Sequence, residues 1–91
     1  MNIPPITSIE NALQIYYKYS ELGNKEILTL FGKRSSNTIA RLKRMAKNKM
    51  QEKRVMSYGA NKVNTKIAFE IWGINIQELE KRLIKLKELD L

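Results

Sequence analysis

The chain has 91 residues and a formal net charge of +8, and it contains neither cysteine nor histidine. This length suits one domain, residues 1–91, with a modest core. The missing residue types exclude disulfides, thiolate zinc sites and the usual general base, so we expect no enzyme, no metal and no cofactor. No apolar run approaches the roughly 18 residues of a membrane span, so we expect a soluble, cytoplasmic protein with no membrane partner.

The positive charge is concentrated in the middle third of the chain. Residues 1–32 carry a net charge of −1, residues 33–66 carry +10 and residues 67–91 carry −1. A charge that served only solubility would be spread over the surface. A local excess produces a positive field that suits a polyanion.

Two short helices are predicted in the first third. Thr7 can cap the first, with Glu10 in the capping-box position, and Gly23 is typical of the residue that follows a helix end. Asn24 can cap the second helix, and Gly32 ends it.

The third predicted helix begins near Ser35 or Ser36, either of which can cap it. At 100° per residue its apolar side chains fall on one face: Ile39, Leu42, Ala46 and Met50. The opposite face carries arginines and amides: Asn37, Arg41, Arg44, Asn48 and Gln51, with Lys47 on its flank.

The segment after this helix, near residues 55–63, is predicted to form either a small β-hairpin around Gly59 or an ordered basic loop. Asn64 then caps a fourth, short helix that Gly73 ends. Asn75 opens a last, amphipathic helix that we predict to run to Leu91.

The last helix carries an apolar stripe at the spacing of a coiled-coil seam. Its members are Ile76, Leu79, Leu83 and Leu86. We predict that this stripe pairs two chains in a homodimer. The alternative is that the helix folds back onto its own core.

The stretch "NKEILTLFGKRSSNTIARL" resembles a helix-turn-helix DNA-binding domain. Ile27, Leu28 and Phe31 match the apolar positions of the positioning helix, and Gly32 matches the turn glycine. "TIAR", Thr38–Arg41, is similar to the "TVSR" found early in many recognition helices. The turn is one residue longer than usual, as in several variants of the motif.

The resemblance implies an all-α fold. Residues 7–53 would form a three-helix helix-turn-helix core, and residues 64–91 a short helix and a C-terminal helical dimerisation region. No specific family within the helix-turn-helix group is implied.

The same resemblance places the third helix in the major groove of DNA, where Arg and Asn can pair with guanine and adenine edges. The predicted base contacts are Asn37, Thr38, Arg41, Arg44 and Asn48. The predicted phosphate contacts are Lys33, Arg34, Ser36, Lys43, Lys47 and Lys49. About six phosphate contacts would give a slope of log K against log salt of about −5.

These features predict a sequence-specific protein for double-stranded DNA. Its role would be that of a small transcriptional regulator or of an accessory factor of a phage or mobile element. Two alternatives stay open. One is an RNA-binding or ribosome-associated module that uses the basic face on phosphates and 2′-hydroxyls, and the other is a protein-interaction module.

Overall fold

The computed structural model describes residues 3–59 and 61–89. This part of the chain is largely α-helical, as predicted, with one very small sheet. In chain order its elements are α1 (Ile9–Lys18), β1 (Glu21–Leu22), α2 (Asn24–Phe31), α3 (Ser36–Glu52), β2 (Val63–Asn64), α4 (Thr65–Ile71) and α5 (Ile76–Leu89). The predicted end of the last helix at residues 90–91 lies outside the described residues. None of the described helices is both long and apolar enough to span a membrane.

The sheet joins two strands that are distant in the chain. β1 pairs antiparallel with β2, with Glu21 opposite Asn64 and Leu22 opposite Val63. Leu22 and Val63 are fully buried, so the pairing closes a layer of the core. The predicted alternative of a local hairpin around Gly59 is therefore wrong, and residues 53–59 and 61–62 form a loop between α3 and β2.

The N-cap predicted for α1 is off by one residue. The side chain of Ser8 caps the helix by accepting a hydrogen bond from the backbone N–H of Asn11 at 3.0 Å. The hydroxyl of Thr7 instead donates to the carbonyl oxygen of Thr29 at 2.9 Å. Thr7 is thus used to attach the N-terminal segment to the end of α2.

The predictions for residues 23 and 24 are also corrected. α1 ends at Lys18, so Gly23 does not follow its end but is the N-cap of α2, and Asn24 is the first helical residue. The carboxylate of Glu26 accepts a hydrogen bond from the backbone N–H of Gly23 at 2.8 Å. The shift arises because β1 occupies part of the segment between the two helices.

The predicted boundaries around α3 are confirmed. Gly32 ends α2 with φ at 81°, a conformation that favours glycine. The Ser35 hydroxyl caps α3 by accepting from the N–H of Thr38 at 3.2 Å. The caps Asn64 and Asn75 are confirmed too, since each side chain accepts from the N–H three residues later.

The core lies between the first four helices. Ile39, Leu42, Ala46 and Met50 are all buried, as the helical period of α3 predicts. Trp72, at the end of α4, donates its indole N–H to the carbonyl oxygen of Leu42 at 3.1 Å. Its ring meets that of Phe31 edge-on, with centroids 5.3 Å apart. These contacts fix the rotation of α3 about its own axis.

α5 packs along α1, so part of its apolar stripe is covered within its own chain, as in the alternative of a helix that folds back onto its own core. Leu79 is only 8% exposed, and both Ile76 and Leu83 are half-buried. Tyr17 of α1 donates a hydrogen bond to Glu80 of α5, and this bond raises the pKa of the phenol. Of the predicted dimer residues, Leu86 alone is exposed, at 50%.

Candidate nucleic-acid interface

The solvent face of α3 is polar and follows directly from the burial of its opposite side. With its apolar residues in the core, the residues about half a turn away point to solvent. The exposed members of this face are Asn37, Ala40, Arg44, Lys47, Asn48 and Gln51. Glu52, the one acidic residue of α3, lies at its last position.

A groove of about 760 Å³ runs along one side of this face, between α3, the start of α2 and the loop before β2. Its polar lining consists of four cationic side chains, four amides and one serine. They are Arg34, Lys43, Arg44, Lys47, Asn24, Asn48, Gln51, Asn61 and Ser36. Leu28, Ile39 and Ala40 complete the lining. Among the described residues that line the groove, none carries a carboxylate. We call this surface the basic groove.

The cations of the basic groove stand close enough to influence one another. The Nζ of Lys43 donates to the Oδ1 of Asn24 at 3.1 Å. Partial burial, and secondarily the neighbouring charge of Lys47, lower the pKa of Lys43. Cations held together in this way attract a polyanion. When they contact the phosphates of a nucleic acid, they release the counterions that were bound there.

The structure brings only part of the predicted base-contact set into the basic groove. Arg44 and Asn48 line it, whereas Asn37, Thr38 and Arg41 do not. Arg41 is half-buried and lies on the other flank of α3. The helical wheel places Arg41 and Arg44 almost equally far from the core, so only the position of α2 and the loop separates them.

The predicted phosphate contacts divide in a similar way. Arg34, Ser36, Lys43 and Lys47 line the basic groove. Lys33 is exposed on the turn between α2 and α3, outside the groove lining. Lys49 is half-buried and pairs with the exposed Glu52 at 3.3 Å, and it does not line the groove.

Six groove residues were not among the predicted contacts: Asn24, Leu28, Ile39, Ala40, Gln51 and Asn61. Gln51 was placed on the solvent face of α3 but was not predicted to contact DNA. Asn24 belongs to α2 and Asn61 to the loop, and no local pattern connects them with α3. Ala40 is visible on the helical wheel, but an alanine carries no signal of binding. Because its side chain is only a methyl group, a ligand can approach the backbone of α3 at the centre of the face.

Among the described residues, no three acidic side chains lie close enough together to hold a metal ion. Glu26 accepts from the backbone of Gly23, and Glu21 accepts from two backbone N–H groups of the loop.

Comparison of the chain with protein-family models, with curated proteins and with solved structures finds no match. Function is therefore inferred from the geometry and charge of the chain itself.

Proposed function

We propose that the chain binds double-stranded DNA sequence-specifically, with α2 and α3 as a helix-turn-helix unit and α3 as its recognition helix. The observation that carries the proposal is the basic groove, in which cations and amides lie together along the exposed side of α3 and no described lining residue is a carboxylate. α3 has 17 residues and is about 25 Å long, and a helix of its width fits the roughly 12 Å major groove of B-DNA.

The chemistry of the lining suggests separate roles for its residues. Arg44 can pair bidentately with a guanine edge, and Asn48 and Gln51 can do so with adenine. Arg34 and Lys43 stand at the edge formed with α2, where a cation positions a phosphate without reading sequence. Lys47 supplies a further exposed charge. We assign smaller contributions to the predicted contacts that lie outside the basic groove.

The biological role we propose is that of a small transcriptional regulator or an accessory factor of a mobile element. The test compares fluorescence anisotropy on a random-sequence duplex with that on a structured RNA of equal length, followed by selection of bound sequences from a random duplex pool. Preference for the duplex and recovery of a common sequence support the proposal. Tighter binding to the RNA would replace DNA by RNA as the ligand.

A matched pair of variants tests the surface itself. Arg44→Ala removes a cation from the basic groove, and Lys66→Ala removes one from an exposed position of α4, outside the groove and the proposed pairing face. Only the first should weaken binding by more than about fivefold. Equal effects would show that net charge matters and the groove does not.

We also propose that two chains pair through the end of α5. Leu86 and Leu89 are 50% and 81% exposed and continue the stripe whose first half packs on α1. The exposed charges next to them in the chain, Lys85 and Glu88, are of opposite sign, which suits the pairing of like chains. Two recognition helices related by a two-fold axis would read half-sites about 34 Å apart.

Sedimentation equilibrium tests this pairing on the full chain and on Leu86→Lys, Leu89→Lys. A dimer that the variant abolishes supports it. If the unmodified chain is a monomer at tens of micromolar, the homodimer proposal is wrong and the DNA would be bound by a single chain.

A further inference from the structure

The described residues of the loop between α3 and β2 make several turns and hydrogen bonds. Arg54 and Asn61 both adopt left-handed backbone conformations, with φ of 57° and 62°, and they turn the chain sharply at its two ends. Near its tip, the N–H of Lys62 donates to the carbonyl oxygen of Gly59 at 3.3 Å. The Ser57 hydroxyl lies 2.8 Å from the same oxygen.

A single side chain from the opposite strand holds the tip of this loop. The carboxylate of Glu21, in β1, accepts from the N–H of Tyr58 at 2.7 Å through one oxygen and from the N–H of Gly59 at 3.0 Å through the other. Partial burial raises the pKa of this carboxyl. The hydrogen bonds of Tyr58, Ser57 and Gly59 outweigh the burial, so the net pKa lies below its ordinary value.

Gly59 lies against two side chains. A Cβ added there would lie 2.8 Å from the Cδ of Lys62 and 3.4 Å from the Oε1 of Glu21. The side chain of Lys62 therefore packs on this glycine. Beside it, the side chain of Tyr58 is 100% exposed. A large aromatic residue is thus presented to solvent from a backbone whose N–H is hydrogen-bonded to Glu21.

The end of the loop that leads into β2 borders the basic groove. Asn61 lines the groove together with Asn48 and Gln51, which belong to the second half of α3. A duplex seated on α3 would therefore bring a backbone strand toward the loop. The phenol of tyrosine is one of the groups that donate to phosphate oxygens in such complexes.

We infer that Tyr58 is a second nucleic-acid contact whose hydroxyl donates to a backbone phosphate, and that Glu21 is the positioning residue that holds it in place. The inference rests on the proposed function of α3, because the duplex must first occupy the basic groove. Tyr58 contacts the nucleic acid itself, whereas Glu21 acts only through the loop backbone.

The sign of one substitution distinguishes positioning from simple electrostatics. Glu21 carries a negative charge, so its removal should tighten binding to a polyanion if charge alone mattered. If Glu21 positions Tyr58, Glu21→Gln weakens binding instead, because an amide NH₂ cannot accept from the second loop N–H. Glu10→Gln makes the same charge change at an exposed site in the first turn of α1 and serves as the control.

The experiment measures the affinity of the full chain for a duplex at fixed salt by anisotropy. Tyr58→Phe, which removes only the hydroxyl, should lose about fivefold. Glu21→Gln should lose a similar factor, and the double variant should lose little more than either alone. Hydrogen exchange at the Tyr58 and Gly59 amides should be faster in Glu21→Gln.

Three outcomes would overturn the inference. If Tyr58→Phe binds the duplex with unchanged affinity, the hydroxyl of Tyr58 does not contact a phosphate. If Glu21→Gln binds the duplex more tightly, as Glu10→Gln should, Glu21 acts only through its charge and does not position Tyr58. If Glu21→Gln does not fold, Glu21→Asp keeps the charge but is one methylene too short to reach both amides, and unchanged affinity of that variant has the same meaning.

The proposed function is judged separately by Arg44→Ala. If that variant weakens binding while the Tyr58 and Glu21 variants do not, α3 binds the duplex and the inference about the loop fails. If Arg44→Ala also has no effect, the proposed function fails as well.

Discussion

Lys47 allows the electrostatic part of DNA binding to be tested with one substitution. Its side chain is exposed and lines the basic groove, and Lys47→Gln removes the charge while keeping most of the length. Each phosphate contact adds about 0.9 to the slope of log K against log salt. Arg34, Lys43 and Lys47 together would give a slope of about −2.7, which is less steep than the value of about −5 expected from charge counting alone.

The expected magnitude follows from that slope. At 0.15 M salt one contact contributes about 0.7 log unit, which is about fivefold in affinity or about 1 kcal/mol. Lys47→Gln should therefore reduce the slope to about −1.8, weaken binding about fivefold at 0.15 M, and match the unmodified chain near 1 M salt.

The assay is an anisotropy titration on one duplex at four or more salt concentrations. Lys81→Gln is the control, because Lys81 is exposed on α5 and does not line the basic groove. If both variants reduce the slope equally, net charge acts without the groove and Lys47 makes no specific phosphate contact. A slope near zero for the unmodified chain would remove the electrostatic mechanism altogether.

Three further predictions follow from the described contacts. Arg44→Ala should cost about 1–3 kcal/mol on a selected site and relax preference at one or two base pairs. Arg41→Ala should lose less binding free energy than Arg44→Ala. A larger loss for Arg41→Ala in a competition assay would contradict the assignment of Arg44 to the basic groove. Trp72→Phe should lower the free energy of unfolding by about 2 kcal/mol in urea, because it removes the buried hydrogen bond to Leu42; an unchanged midpoint would contradict this. Because the folded pKa of Glu21 lies below its ordinary value of 4.5, its stabilising contribution is present above that value and is lost as the pH falls through the folded pKa; urea unfolding of Glu21→Gln should show a smaller loss of stability on acidification.

Features with a local cause were predictable from the sequence. The caps at Ser35, Asn64 and Asn75 depend on a side chain and an N–H three residues later. Gly32 ends α2 because of its own backbone freedom.

The predictions of the α1 cap and of the start of α2 were wrong because both features depend on contacts with distant residues. Thr7 and Ser8 are equally good caps by composition, and the choice depends on Thr29, which accepts from the Thr7 hydroxyl. The start of α2 moved because β1 pairs with a strand forty residues further on. A propensity evaluated over a few neighbours contains no information about either partner.

The candidate site shows the same division. The helical period of α3 alone predicted that Ile39 and Leu42 face the core and that Arg44 and Asn48 face solvent. The period does not distinguish the two flanks of the helix, and the packing of α2 and the loop decided that Arg44, and not Arg41, lines the basic groove.

The sequence by itself thus determined the elements, the concentration of charge in the middle of the chain and the polar face of α3, because each follows from neighbouring residues and one helical period. Only the tertiary structure decided that α5 covers α1 with half of its stripe. It also decided that Glu21 holds Tyr58, whose N–H lies 37 residues away in the chain. Contacts between distant residues depend on how all the buried faces fit together at once, and no segment of the sequence specifies that fit alone.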